Sequence, residues 1–191
     1  TWPLPPIRGQ FLSKPFRYVS HILGHETEGS LLSLLKDRGW ADQLSAGESR
    51  SHSDFASFDV TVELTDEGDE HVDEIVELVF SCIQLIASDP EPRRWVFDEL
   101  KALADVSFHF RDVIEPSSVV MALAASMQIY PPTLAHSHPY LYEQWRPEQV
   151  VELLALLTPE RASVSHVSSC HEAVATMREP WYGTRFMCTP G

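Results

Sequence analysis

Several features that carry function in other proteins are scarce or missing here. Only three cysteines occur, Cys82, Cys170 and Cys188. Their number is odd and no Cys-x-x-Cys or Cys/His finger spacing links them, which excludes a disulfide framework and favours a reducing compartment such as the cytosol. No run of eighteen apolar residues occurs, so no transmembrane span is expected, and no segment has the layout of a signal peptide. Lys and Arg total 14 against 28 Asp and Glu, a formal net charge of −14. Phosphate backbones need the opposite balance, so nucleic acid is excluded as a partner. Cationic peptides or a basic partner suit this field, although the carboxylates between Glu63 and Glu77 also fit a solvated helix face. Phosphate-cradling glycine patterns and the G-x-S-x-G nucleophile elbow are absent as well.

What is present is globular. Apolar residues make up 43% and charged residues 22% of 191 positions, enough for one ordinary core. The opening TWPLPP reads as a short edge strand running into a proline loop. After Lys14-Pro15 the apolar residues Phe16, Val19, Ile22 and Leu23 recur at helical spacing. Gly24 and Gly29 break that helix. Ser30 caps a second one carrying Leu31, Leu32, Leu34 and Leu35, and Gly39 stops it. Residues 55–64 alternate as a half-buried strand. A helix is expected from Thr65, with Val72, Ile75, Val76, Val79, Ile83 and Ile86 inward and an end before Pro90. Cys82 lies in its apolar run as a core thiol. A third helix over 92–111 is expected to bury Trp95, Val96, Leu100, Leu103, Val106 and Phe110. Further helices follow over 116–129 and 147–157, separated by a loop rich in Pro and His. Residues 161–167 alternate as a second strand. The fold class is α+β, a mixed sheet flanked by long helices. Residues 1–168 form the domain and 169–191 a tail or linker. The chain opens on Thr1 in a strand-like segment, and we read it as an internal piece of a longer protein.

The chemistry-bearing clusters are incomplete. His21-x3-His25-Glu26 lies on one helix face and invites a zinc reading. Metallopeptidase helices use H-E-x-x-H or H-x-x-E-H, two histidines on the metal and Glu on the water. Here His25-Glu26, His171-Glu172 and His71-x-x-Glu74 each lack the second histidine. His136-Ser-His138 reads as a surface loop. SVSHVSSCHEA holds every letter of a nucleophilic triad, as its composition alone would give. The trial ligands and nucleophiles therefore point to no catalytic residue and no metal ligand in this chain.

One stretch is distinctive: GHETEGSLLSLLKDRGW over 24–40, followed by Leu44-Ser45-Ala46-Gly47. With TWPLPP, VELTDEG, WVFDELKALADVSFHFRD, YPP, YLYEQWRPEQV and EPWYGT in order, it resembles the second, non-catalytic domain of pitrilysin/insulysin-type inverted-zincin metallopeptidases, on the insulysin–nardilysin branch. The resemblance covers nearly the whole chain. It implies a zinc metalloendopeptidase built of four similar α+β domains around a chamber for peptides, with zinc bound outside this piece. Partners are then peptide substrates, the remaining domains of the same chain, and a possible homodimer of the parent. It also implies an exosite that catches the substrate's amino terminus as an added strand. In that role Gly24 offers its carbonyl and Glu26 its carboxylate to the ammonium, with His21 alongside. Leu44, Ser45, Ala46 and Gly47 form the receiving edge. Where the family edge is of Val-Gly-Gly type, this chain has Ser45-Ala46-Gly47, and Glu28 adds a carboxylate that favours basic amino termini. The alternative is a non-enzymatic paralogue or processing-peptidase-like subunit with a structural or presequence-binding role. A third reading is a stand-alone peptide-binding module.

Overall fold

The computed structural model describes residues 1–89 and 91–189; Pro90, read above as a helix stop, and Pro190–Gly191 of the tail lie outside them. The architecture begins with β1 (Trp2–Leu4), followed by the helices α1 (Pro15–Leu23) and α2 (Leu31–Asp37). Next come the long strands β2 (Ala41–Ser51) and β3 (Ala56–Leu64). The helices α3 (Val72–Ala87), α4 (Arg94–His109), α5 (Pro116–Met127) and α6 (Pro147–Leu156) complete the body. A two-residue ladder joins β4 (Met177–Arg178) to β5 (Arg185–Phe186) near the end. The α+β class stands, and its strands pair antiparallel throughout, in the order β1-β3-β2.

Local chemistry explains the helix ends. Pro15 enters α1 at its first position, where its missing N–H costs nothing. The Ser30 hydroxyl accepts the Ser33 N–H at 3.1 Å and caps α2. Gly39 closes α2 at φ +73°, a conformation that a Cβ resists. Helix α1 lies across β2 and against α6, and α2 and α3 continue that layer. Val19, Leu23, Leu35 and Phe58 are wholly buried between these elements, each side chain worth about 1.5–3 kcal/mol on removal from water. The Trp2 indole donates to the Thr158 carbonyl at 2.9 Å, which ties β1 to the end of α6 while satisfying its only polar atom.

Three expectations are corrected. The helix expected at Thr65 starts at Val72, because the Thr65 hydroxyl accepts the Gly68 N–H and turns the chain into a short 3-10 segment, Gly68–Glu70. Residues 161–167 do not form a strand: Ser163 exchanges two backbone hydrogen bonds with Thr1, at 2.8 and 3.0 Å, and no second rung follows. On α4 only the first turns reach the core. Val96 and Phe97 are buried there, whereas Trp95 is 62% and Phe110 82% exposed, with Leu103 and Val106 also in solvent. The expected helix over 116–129 forms as α5 but buries no residue. The inward face of α3 is as expected, with Ile75, Val79 and Ile83 buried. Cys82 is partly buried against the core, and burial pushes its thiol pKa up.

Candidate functional site

The residues singled out by the amine-anchoring reading fall into two neighbouring segments. The first is the exit of α1. The helix ends at Leu23, and Gly24 donates its N–H to the Ser20 carbonyl at 2.8 Å as the chain turns. His25, Glu26, Thr27 and Glu28 follow in an exposed turn closed by Gly29 at φ +84° and the Ser30 cap. The second segment is the middle of β2, where Leu44, Ser45, Ala46 and Gly47 stand opposite Val62, Thr61, Val60 and Asp59 of β3. Because β2 is last in the sheet order, its other edge has no strand partner among the described residues.

The structure brings these segments together through two glycines. A Cβ placed on Gly24 would sit 3.7 Å from the Ala46 nitrogen and 3.0 Å from the Ser20 carbonyl oxygen. A Cβ on Gly47 would meet the Ser20 hydroxyl at 3.3 Å. The last turn of α1 therefore lies in van der Waals contact with the edge strand at Ala46, and the tighter approach between the two is that of Gly47 to the Ser20 hydroxyl. Leu44 points into the core at 6% exposure, which fixes the face that β2 presents. Glu26 and Glu28 are exposed and form no hydrogen bond or ion pair among the described residues.

The histidines of this region do not assemble a metal site. The His21 Nε2 lies 3.8 Å from Glu99 of α4, and His25 Nδ1 meets the Thr27 hydroxyl at 2.9 Å. Their rings pack edge to face at 5.6 Å. No group of three His, Cys, Asp or Glu ligand atoms gathers around His21 and His25 among the described residues. His136 and His138 likewise part company. His136 Nε2 sits 2.7 Å from the Arg111 guanidinium, whereas His138 Nδ1 faces the Ala135 carbonyl.

Two features escaped the residue patterns. A cavity of about 310 Å³ runs along the other edge of β3, beyond the end of β1, lined by Val60, Val62, Leu64, Ile75, Val79 and Val164. The second is a knot of polar side chains joining the Gly68–Glu70 turn to the tail. Asp69 accepts from Ser168 Oγ and from His166 Nε2, both at 2.7 Å, and these bonds hold its carboxyl below the usual range. His171 and Cys170 stand beside His166. The residues are 97 positions apart in sequence, and no local spacing announces the meeting.

Comparison with known proteins defines the family and the fold. Residues 1–103 match a family model described as the Peptidase M16 inactive domain, and residues 108–190 one described as the middle or third domain of peptidase M16. The first match alone covers more than half of the chain, and the chain belongs to the M16 peptidase family. It is 37% identical to the insulin-degrading enzyme of Drosophila melanogaster over 94% of its length, covering 18% of that relative. With human insulin-degrading enzyme the identity is 36% over 92% of this chain and 17% of the relative. Nardilysin of Rattus norvegicus is 32% identical over 97% of this chain and 16% of its own length. The crystal structure of pitrilysin superposes on 84% of the chain with a TM-score of 0.79 at 22% identity, a likeness of fold, and the match spans 17% of that molecule. The chain thus spans less than a fifth of each of these relatives.

Proposed function

We propose that this chain is the non-catalytic domain of a zinc metalloendopeptidase, where it encloses peptide substrates and anchors their amino termini. The observation that carries the reading is the juxtaposition of an unpaired strand edge with a glycine turn bearing free carboxylates. A substrate's first residues add to β2 at Leu44–Gly47 through backbone hydrogen bonds, which supply affinity for many sequences. The terminal ammonium reaches the Gly24 carbonyl and the Glu26 carboxylate, with His21 alongside, and a charge-assisted bond of this kind is about twice as strong as a neutral one. Glu28 favours substrates with a basic residue near the amino terminus. Hydrolysis belongs to zinc held elsewhere in the parent chain, and this piece is inactive alone.

The exposed apolar faces of α4 and α5 support a chain packed among further domains of its parent. Leu103, Val106, Phe110, Val120 and Met121 are each more than half exposed, an unusual outlay of apolar surface for a protein without partners. Residues 1–168 form the body on this reading and 169–191 lead onward. The three thiols are free, in keeping with a reducing compartment; one Arabidopsis thaliana relative is named peroxisomal. An H-x-x-E-H helix encoded upstream of Thr1 distinguishes the peptidase from a non-enzymatic paralogue. In the full-length enzyme, Glu26→Gln is expected to raise KM for peptides with free amino termini about tenfold and to leave amino-acetylated peptides unchanged. Equal effects on both, or none, refute the anchoring role.

A further inference from the structure

We infer that His166, Cys170 and His171 form a zinc-binding site that staples the tail to the body of the domain, separate from any catalytic zinc of the parent. Two imidazoles and a thiol are a borderline-soft donor set suited to Zn²⁺. One ligand atom from each lies within 4.8 Å of the other two, and theirs is the one such group of three among the described residues.

The surroundings orient the donors. His166 Nε2 donates to Asp69 Oδ1 at 2.7 Å, an assignment that follows from the carboxylate being the acceptor. The neutral ring then presents its Nδ1 lone pair away from Asp69, and that nitrogen faces His171 Nε2 at 2.9 Å. A carboxylate behind a ligating histidine is the arrangement that fixes tautomer and ring angle in metal sites. Asp69 is itself held by the Ser168 hydroxyl at 2.7 Å. The same Ser168 hydroxyl accepts the Cys170 N–H at 3.1 Å and starts the turn that returns Cys170 and His171 toward His166.

Two nitrogens on one tetrahedral zinc ion sit about 3.3 Å apart, and nitrogen and sulfur about 3.6 Å apart, for bonds of ~2.0 and ~2.3 Å. The imidazoles must therefore open by a few tenths of an ångström and the thiol close by at most about 1.2 Å. Cys170 is exposed and His171 follows it in the tail, while His166 is half-buried and held by Asp69, so the tail makes both movements. The proton balance is simple. In the apo protein His171 Nε2 donates to His166 Nδ1; on binding, that proton moves to His171 Nδ1 and the imidazole stays neutral. The Cys170 thiol loses its proton to solvent, so one proton leaves per ion bound. Three protein ligands leave one coordination position for water.

Cobalt and zinc titrations of the reduced 191-residue chain test this. Co²⁺ should bind one to one with a near-ultraviolet thiolate-to-metal band. The band is expected to vanish in Cys170→Ser and to persist in Cys82→Ser and Cys188→Ser. Zn²⁺ affinity, read by competition with a chromogenic chelator, should fall at least 100-fold in Cys170→Ser and 10- to 100-fold in His171→Asn and Asp69→Asn. Zinc should also slow proteolysis after residue 171 in the wild type and not in Cys170→Ser, whose exposed position leaves the fold intact. A zinc affinity changed less than threefold by Cys170→Ser, or a band that follows Cys188, overturns the site and leaves a hydrogen-bonded clasp.

Discussion

Gly68→Ala is the sharpest perturbation the structure offers, because this glycine packs the turn that leaves β3 against Trp40, the residue before β2. A Cβ at Gly68 would overlap the Trp40 carbonyl oxygen and come within 2.7 Å of the Trp40 carbonyl carbon. That carbonyl accepts the Thr65 N–H at 3.2 Å, and the Thr65 hydroxyl in turn donates to the Gly39 carbonyl and accepts the Gly68 N–H at 3.0 Å. The methyl cannot fit without moving backbone, since nothing flexible stands in its way. Overpacking of this sort costs about 1–3 kcal/mol, and loss of one or two of the linked hydrogen bonds adds about 1 kcal/mol each. A destabilisation of about 3–4 kcal/mol is expected, read as a shift of the urea midpoint at unchanged slope. Gly9→Ala is the control, because a Cβ there meets nothing within 4 Å; it should stay within about 0.5 kcal/mol of wild type. If Gly68→Ala costs under 1 kcal/mol, the turn is more yielding than its hydrogen bonds imply and the reasoning fails.

Other outcomes follow from single residues. Burial, with Arg17 nearby, pulls the Lys14 ammonium down to about 8 from its usual 10.5 while Glu48 resists. The unfolded chain therefore holds this proton to higher pH, and stability should rise between about pH 8 and 10.5, by at most about 1.4 kcal/mol per pH unit and roughly half that for a partly solvated group. Urea midpoints of wild type and Lys14→Met across pH 7.5–9.5 check the sign: the variant should lose this rise, and parallel curves contradict it. Ser30→Ala removes the cap of α2 and should cost about 1 kcal/mol by the same assay. Phe58→Ala, at a wholly buried position between Trp2 and Phe16, should cost about 3–5 kcal/mol.

The helices were legible because their signals are local. Pro15, Ser30 and Gly39 each act on the turn beside them, and the spacing of Ile75, Val79 and Ile83 reports one inward face. Phe110 and Val106 misled because apolar periodicity tells which face seeks burial and not what covers it. Residues 161–167 misled for a similar reason: alternation suits a strand, but a strand also needs a neighbour, and only Thr1 pairs there. The amine-anchoring residues came from likeness to a family rather than from chemistry, and the closeness of Gly24 to Ala46 is a fact of tertiary packing. Asp69 and His166 show the limit most plainly, since no pattern in the sequence joins a turn before α3 to the tail.

The most direct test of the anchoring edge is amide hydrogen exchange of the 191-residue chain with an excess of a short basic peptide bearing a free amino terminus. Slowed exchange confined to Leu44–Gly47, absent with the amino-acetylated peptide and absent in Glu26→Gln, is the predicted result. Protection of the β3 edge at Val60–Leu64 instead, or equal protection by both peptides, contradicts it.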